Sequence, residues 1–231
     1  LKFKHIIKNL LSGITLPIQS GPLKGKKWIV TSGKKFITGK FEEYKTQAFI
    51  EQFKKGSVFF DIGAHIGYFS AIACTINDNS GHVYAFEPRP DNARFFLKHM
   101  RFNGFSNYTL TQAAVAATEG QAKFNANTGT ATGHLSEKGN LTVEVVSIDR
   151  LVSEGKLPAP DFIKIDVEGG EIKVLEGCRQ VISTHKPKLL IATHNPETHA
   201  YVLDFLSEHA YRFEILNQDG VKGDTEIMAV A

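Results

Sequence analysis

The chain has 231 residues, 27 Lys+Arg against 24 Asp+Glu for a formal net charge of +3, and 42% hydrophobic residues. That balance supports a sizeable core and excludes wholesale disorder. No apolar run reaches the ~18 residues of a membrane span, and no Lys/Arg block is dense enough to argue for nucleic acid. Two cysteines, Cys74 and Cys178, exclude a disulfide framework and a multi-cysteine zinc site and suit a reduced, cytoplasmic setting. The chain opens at Leu1 rather than Met, which is compatible with a removed leader.

Residues 1–20 read as a separate opening piece. Phe3, Ile6, Ile7, Leu10, Leu11 and Ile14 follow helical spacing with Lys2, Lys4 and Lys8 between them. Such a helix docks on the domain or a second subunit, or lies on a membrane surface. Pro17 and Gly21-Pro22 stop it. Lys27–Val30 and Phe36-Ile37, separated by Ser32-Gly33, read as a hairpin, completing an extension over residues 1–40. From residue 41 onward the chain reads as the main domain. Tyr44–Phe53 predicts a helix ending at Gly56.

Apolar runs then alternate with helical stretches: Val58–Phe60 and Tyr68–Ile76, Val83–Phe86 and Asn92–Phe102, Phe162–Ile165 and Glu171–Gly177, Leu189–Ile191 and Glu197–His209. Continuously apolar strands separated by helices predict an α/β fold with a mostly parallel sheet covered on both faces. Tyr211–Leu216 and Glu226–Val230, joined by a loop with Asp219-Gly220 and Gly223, read as a hairpin, so the last strand enters antiparallel. Between Val115 and Pro160 the rhythm breaks. A Gly-, Thr- and Asn-rich insertion over residues 116–160, with one alternating strand at Leu141–Val146, reads as a lid or substrate wall.

Asp61-Ile62-Gly63-Ala64-His65-Ile66-Gly67-Tyr68 runs from an apolar strand through a carboxylate and two glycines into a helix. Gly63 permits a sharp turn and Gly67 a helix starting close to a ligand; the plain alternative is a tight turn without a ligand. The spacing is neither G-x-G-x-x-G nor a P-loop. An anion at the strand tip repels phosphate and suits a cationic donor such as S-adenosylmethionine (SAM), which carries a sulfonium and an ammonium. Glu87, 20 residues after Gly67 at the next strand tip, is placed to accept two ribose hydroxyls.

Asp161–Glu171 places Asp166, Glu168 and Glu171 after a buried strand, with Asp166 the stronger functional candidate and Glu171 equally suited to a helix N-terminus. The fifth run ends at His194-Asn195-Pro196. His194 is a candidate base or a structural histidine. Asn195 suits a helix cap. Asp166, His194 and Asn195 together also make a less favoured divalent-metal set.

These blocks resemble the FkbM family of SAM-dependent methyltransferases. The similarity runs over residues 40–216 and includes Ala85-Phe86-Glu87-Pro88, Ala113-Ala114-Val115, Glu119-Gly120, Ser147-Ile148-Asp149 and Lys164-Ile165-Asp166-Val167-Glu168-Gly169. The resemblance implies a Rossmann-like class I methyltransferase fold, seven strands with the last antiparallel, and O-methylation of a sugar, polyketide or other small-molecule hydroxyl. It implies that Asp61, Gly63, Ala64, His65, Gly67 and Tyr68 surround the methionine part of SAM, that Glu87 holds the ribose, that Asn103 and Ala114 lie near the adenine, and that Asp166 faces the methyl-transfer region. From its place at the strand end His194, with Asp166, is then the candidate to remove the hydroxyl proton. The family usually has Glu before the fifth-strand His; here Ala192-Thr193 precede His194. That departure motivates a competing reading, a non-catalytic SAM- or partner-binding module. A nicotinamide-dependent reductase is opposed by the glycine spacing.

Overall fold

A computed structural model of the chain describes residues 13–126, 134–135, 138–217 and 225–231. The expected opening helix falls mostly on residues 1–12, outside the described residues; its last turn does not form, because Thr15–Pro17 (β1) is a strand. β1 pairs antiparallel with Lys27–Ile29 (β2). This corrects the hairpin expected between Lys27–Val30 and Phe36-Ile37. Gly33, at φ 131°, starts a short helix over Lys34–Thr38 (α1), which closes on the left-handed Gly39. Phe36 and Ile37 are therefore buried from a helix, and their adjacency in sequence mimicked a strand.

Glu43–Gln52 (α2) leads into Val58–Ile62 (β3), Tyr68–Asn77 (α3), His82–Phe86 (β4), Pro90–Phe102 (α4) and Tyr108–Thr111 (β5). The later elements are Phe162–Ile165 (β10), Glu171–Gly177 (α6), Arg179–His185 (α7), Lys188–Thr193 (β11), Pro196–Glu208 (α8), Arg212–Ile215 (β12) and Thr225–Val230 (β13). The main sheet has seven strands in the order β12-β13-β11-β10-β3-β4-β5. β13 alone runs antiparallel, wedged between β11 and β12, as the terminal hairpin predicted. The loop of that hairpin, residues 218–224, lies outside the described residues.

Period-two alternation divides the strand residues between two cores. Phe59, Val83, Ala85, Phe162 and Leu190 face one, with Trp28, Phe49 and α3. Phe60, Ile62, Ile163, Ile165, Leu189 and Ile191 face the other, with α6, α7 and α8. Ile18, Leu23, Trp28, Phe36 and Ile37 share the first core, where Trp28 stacks on His99 of α4 and meets Tyr68 of α3 edge-on.

The insertion holds more strand than its sequence suggested. Gly120–Asn125 (β7), His134–Leu135 (β8) and Leu141–Val146 (β9) join Ala113–Val115 (β6) in a second sheet, ordered β6-β9-β7-β8. Ala114, Ala116, Phe124, Val143 and Val145 form its small core. Ile148–Ser153 (α5), capped by Ser147, returns the chain to β10. Both cysteines are buried and unpaired. No helix among the described residues is long and apolar enough to cross a membrane.

Candidate active site

The carboxyl ends of β3, β4 and β10 open onto a cavity of about 330 Å³, the edge at which open α/β sheets bind ligands. Its floor is the turn after β3. The Gly63 and Ala64 N–H groups both donate to the Phe86 carbonyl at 3.0 Å. Gly63 has φ 78°, and a Cβ there would collide with the Asp166 main-chain carbonyl. Glycine is required at this position by backbone crowding between β3 and β10. Gly67 serves a different end: a Cβ there would meet Phe96 and Met100 of α4 at 2.7 and 2.9 Å. It permits helix packing and does not line the cavity, contrary to the expected approach to a ligand.

Asp61 is also displaced from its expected role. It is fully buried behind the turn, accepts from Ser70 Oγ at 2.6 Å and pairs with Lys164 Nζ at 3.1 Å. Parallel register sets Lys164 opposite Asp61, and the same ammonium donates to the Gly63 carbonyl at 3.1 Å. The carboxylate thus anchors the turn through Lys164, and it does not line the cavity.

Ala64, His65, Tyr68, Glu87, Ala114 and Asp166 do line the cavity. Glu87 Oε2 accepts from the His65 N–H at 2.8 Å, and Oε1 accepts from the Arg89 N–H at 2.9 Å and Asn92 Nδ2 at 3.2 Å. Burial raises its carboxyl to about 7 against these hydrogen bonds. His65 Nε2 is buried without a hydrogen-bond partner. Burial holds that ring neutral, its pKa lowered to about 4, with Asp166 and Lys164 acting in opposite senses. Asn103 lies elsewhere. Its amide bonds the Lys27 main chain in both directions, at 2.7 and 2.9 Å, tying β2 to the end of α4.

Around Asp166 the charges interlock. Oδ2 receives a hydrogen bond from Lys45 Nζ at 2.6 Å, and that ammonium also lies 3.1 Å from Glu226 Oε1 and 3.3 Å from Glu42 Oε2. The last contact is an ion pair outside hydrogen-bond geometry, since Glu42 Oε2 accepts no hydrogen bond. Burial opposes ionisation of Asp166, but Lys45 and Lys164 outweigh it and hold the carboxyl well below the usual range. His194 Nε2 faces Asp166 Oδ1 at 3.6 Å and Glu168 Oε1 at 3.7 Å. Its Nδ1 bonds Glu171 Oε1 at 2.7 Å. Burial lowers the His194 pKa, but the Glu171 hydrogen bond and the charges of Asp166, Glu171 and Glu168 carry it up to about 9.

The structure therefore alters the catalytic expectation: His194 does not itself line the cavity but stands behind Asp166 and Glu168, which do. At neutral pH His194 is mostly imidazolium, and Asp166 is a weakly basic anion. Glu171 does more than face a helix dipole, because its carboxylate bonds His194 Nδ1. The metal set changes as well. Asn195 Oδ1 is spent capping α8 through the Thr198 N–H at 2.8 Å. Asp166, Glu168 and His194 instead bring one ligand atom each within 4.8 Å of one another.

Sequence reading missed Glu42 and Lys45, because Glu42-Glu43-Tyr44-Lys45 reads as a solvated helix start. It also missed the wall formed by Ser32 and Phe36 from the extension, by Phe41 just after it, and by Phe124 from the second sheet. One signal appears only in the backbone: Glu42, His65 and Glu168 line the cavity in the left-handed region, at φ 45°, 51° and 58°. Such strain, about 1–3 kcal/mol per residue, gathers at functional sites.

The Methyltransferase FkbM domain model matches residues 61–213. The hexuronic acid methyltransferase AglP of Haloferax volcanii is 30% identical over 138 residues, covering 58% of this chain and 55% of that protein. The fold is similar to the methyltransferase FkbM of Methylobacillus flagellatus, with a TM-score of 0.59 and 22% identity over 80% of this chain and 47% of that one. It is also similar to precorrin-6y C5,15-methyltransferase of Geobacter metallireducens, with a TM-score of 0.56 and 19% identity over 86% and 92% of the two chains. The chain thus spans about half the length of AglP and of the Methylobacillus protein. Its sheet order, glycine turn and acidic strand tips, together with the domain match, place it in the FkbM methyltransferase domain family.

Proposed function

We propose that the cavity binds SAM and directs its methyl group to a hydroxyl of a sugar or other small-molecule acceptor. The observation that carries this reading is Glu87. Its buried carboxylate stands at a strand tip beside the glycine turn, held in place by the His65 N–H of that turn and the Arg89 N–H of its own loop. The residues fit such a donor: Glu87 suits the ribose hydroxyls, Ala114 the adenine side, and the unpaired His65 Nε2 with the Gly63–Ala64 turn and Tyr68 the methionine part. When bound, SAM supplies a methyl carbon on a positively charged sulfur, which an acceptor oxygen displaces to leave the neutral thioether S-adenosylhomocysteine.

The protein's own work is positioning, exclusion of water and removal of one proton. His194 Nε2 takes the hydroxyl proton from its deprotonated fraction, roughly 1% at pH 7 for a pKa near 9. Glu171 fixes the ring, and Asp166, clamped by Lys45, stabilises the imidazolium that results. The sugar acceptor finds support in the activity named for the Haloferax relative. Incubation with methyl-labelled SAM and a panel of glycosides tests this reading. Label in an O-methyl ether, with S-adenosylhomocysteine formed in equal amount, is expected. Tight SAM binding without transfer to any hydroxyl would favour a non-catalytic module.

A further inference from the structure

We propose that the acceptor sugar is uncharged or carries an ammonium group, and that a hexuronate is selected against. This inference rests on the cavity being the methyl-transfer site and goes further by fixing the charge class of its substrate.

Six carboxyl groups share three cations around Asp166, at and just behind the cavity wall, and burial raises one of them, Glu226, to about 7. Lys45 lies within 3.3 Å of Asp166, Glu226 and Glu42. His194 is shared by Glu171, Asp166 and Glu168. Lys164 is divided between Asp61 at 3.1 Å and Asp166 at 3.9 Å. Glu42, Asp166 and Glu168 line the cavity itself. Among the described lining residues the lysine and arginine side chains are Lys164, committed to Asp61 and the Gly63 carbonyl, and Arg89, which reaches the Ala126 carbonyl at 3.3 Å beyond the Glu87 side. The donor brings one net positive charge from its sulfonium, ammonium and carboxylate, so the filled site stays anionic.

The unmet hydrogen bonds point the same way. Glu42 Oε2, on a residue that lines the cavity, is buried and accepts none; Glu226 Oε2 also accepts none but lies outside the lining, on a carboxyl that burial raises to about 7. Hydroxyl and ammonium groups donate to such oxygens, whereas a second carboxylate only accepts and is repelled. Phe36 and Phe41, stacked at 4.1 Å, and Tyr68, 5.1 Å from Phe41, give the same cavity an apolar wall for the face of a sugar ring. The charge inference therefore separates this chain from its Haloferax relative, which is a hexuronic acid methyltransferase.

The test compares acceptors that differ only in charge: 4-nitrophenyl glucoside, glucosaminide and glucuronide, with the galactose and mannose counterparts of the neutral and acidic pair. Initial rates of methyl transfer are measured at low and at 0.5 M salt. One unit charge about 7 Å from one uncompensated carboxylate, at an effective dielectric constant of about 40, corresponds to roughly tenfold in kcat/KM. The glucuronide is expected at least that far below the glucoside, with the glucosaminide equal to or above it and the gap narrowing in high salt. Glu42→Gln and Glu168→Gln are each expected to narrow the glucoside-to-glucuronide ratio, whatever their overall rate. Equal or faster transfer to the uronates would overturn the inference and leave the methyltransferase reading intact. Transfer to none of them, with SAM bound, would remove both.

Discussion

Replacing His99 with Gln removes a titrating group from the joint that ties β2 to the glycine turn. The ring is fully buried on α4 and stacks on Trp28 at 3.8 Å and 9°. Nδ1 lies 2.9 Å from the Ile66 carbonyl, and Nε2 accepts the Ile29 N–H at 3.2 Å. These partners fix a neutral ring with its proton on Nδ1, because a second N–H would face that of Ile29. Burial lowers the pKa to about 4, against the opposing hydrogen bond to Ile66.

The folded value lies below an unfolded one near 6.5, so the stabilisation is complete above pH 6.5 and is lost as pH falls toward 4. The loss from His99 is about 2 kcal/mol at pH 5 and about 3 kcal/mol once the ring is fully protonated. Urea unfolding at pH 7.5 and pH 5.0, on the native chain and on His99→Gln, isolates this contribution from that of His65. The variant starts less stable but is expected to lose about 2 kcal/mol less on acidification. Equal losses in the two proteins would refute the neutral, doubly bonded histidine.

Two further outcomes follow from the charge network. Lys45→Met strands Asp166, Glu226 and Glu42 in a buried site, so urea unfolding should show a loss of about 3–5 kcal/mol. Adding Glu226→Gln should restore part of it, and an unaffected single variant would contradict the network. Because His194 has a pKa near 9, kcat/KM for transfer should rise about tenfold per pH unit from pH 6 to 8 and level off near pH 9. Glu171→Gln weakens the hold on the imidazolium and should move that plateau to lower pH; a profile flat above pH 7 in the native enzyme would rule out His194 as the base.

The sheet was legible because its strands are buried on both faces, leaving near-continuous apolar runs with helices between them. β5 escaped because Tyr108-Thr109-Leu110-Thr111 is short and half polar at a sheet edge. β7 escaped because only Phe124 supplies a large side chain to its small core. The positions of Glu87, Asp166 and His194 at the carboxyl edge of the sheet were legible because each follows an apolar run, although a strand-tip carboxylate or imidazole is by itself as often solvated or structural.

Position alone could not say what each group faces. Asp61 turned inward because a neighbouring strand set Lys164 beside it, and Asn103 was taken by the main chain of β2. Lys45, which clamps the central carboxylate, comes from a helix start that looks solvated in the sequence. Long-range pairing decided all three, and local pattern carries no record of it.

The central claim is that the cavity beside Glu87 is built for an adenosyl donor. Isothermal calorimetry with S-adenosylhomocysteine, run at two temperatures and at pH 8 and pH 6, tests it directly. One molecule is expected to bind per chain. Its affinity should fall as pH drops below 7 and Glu87 takes up a proton, and fall at least about tenfold at pH 8 in Glu87→Ala. A folded native chain that takes up no S-adenosylhomocysteine, or a Glu87→Ala variant that binds it equally well, would contradict the account.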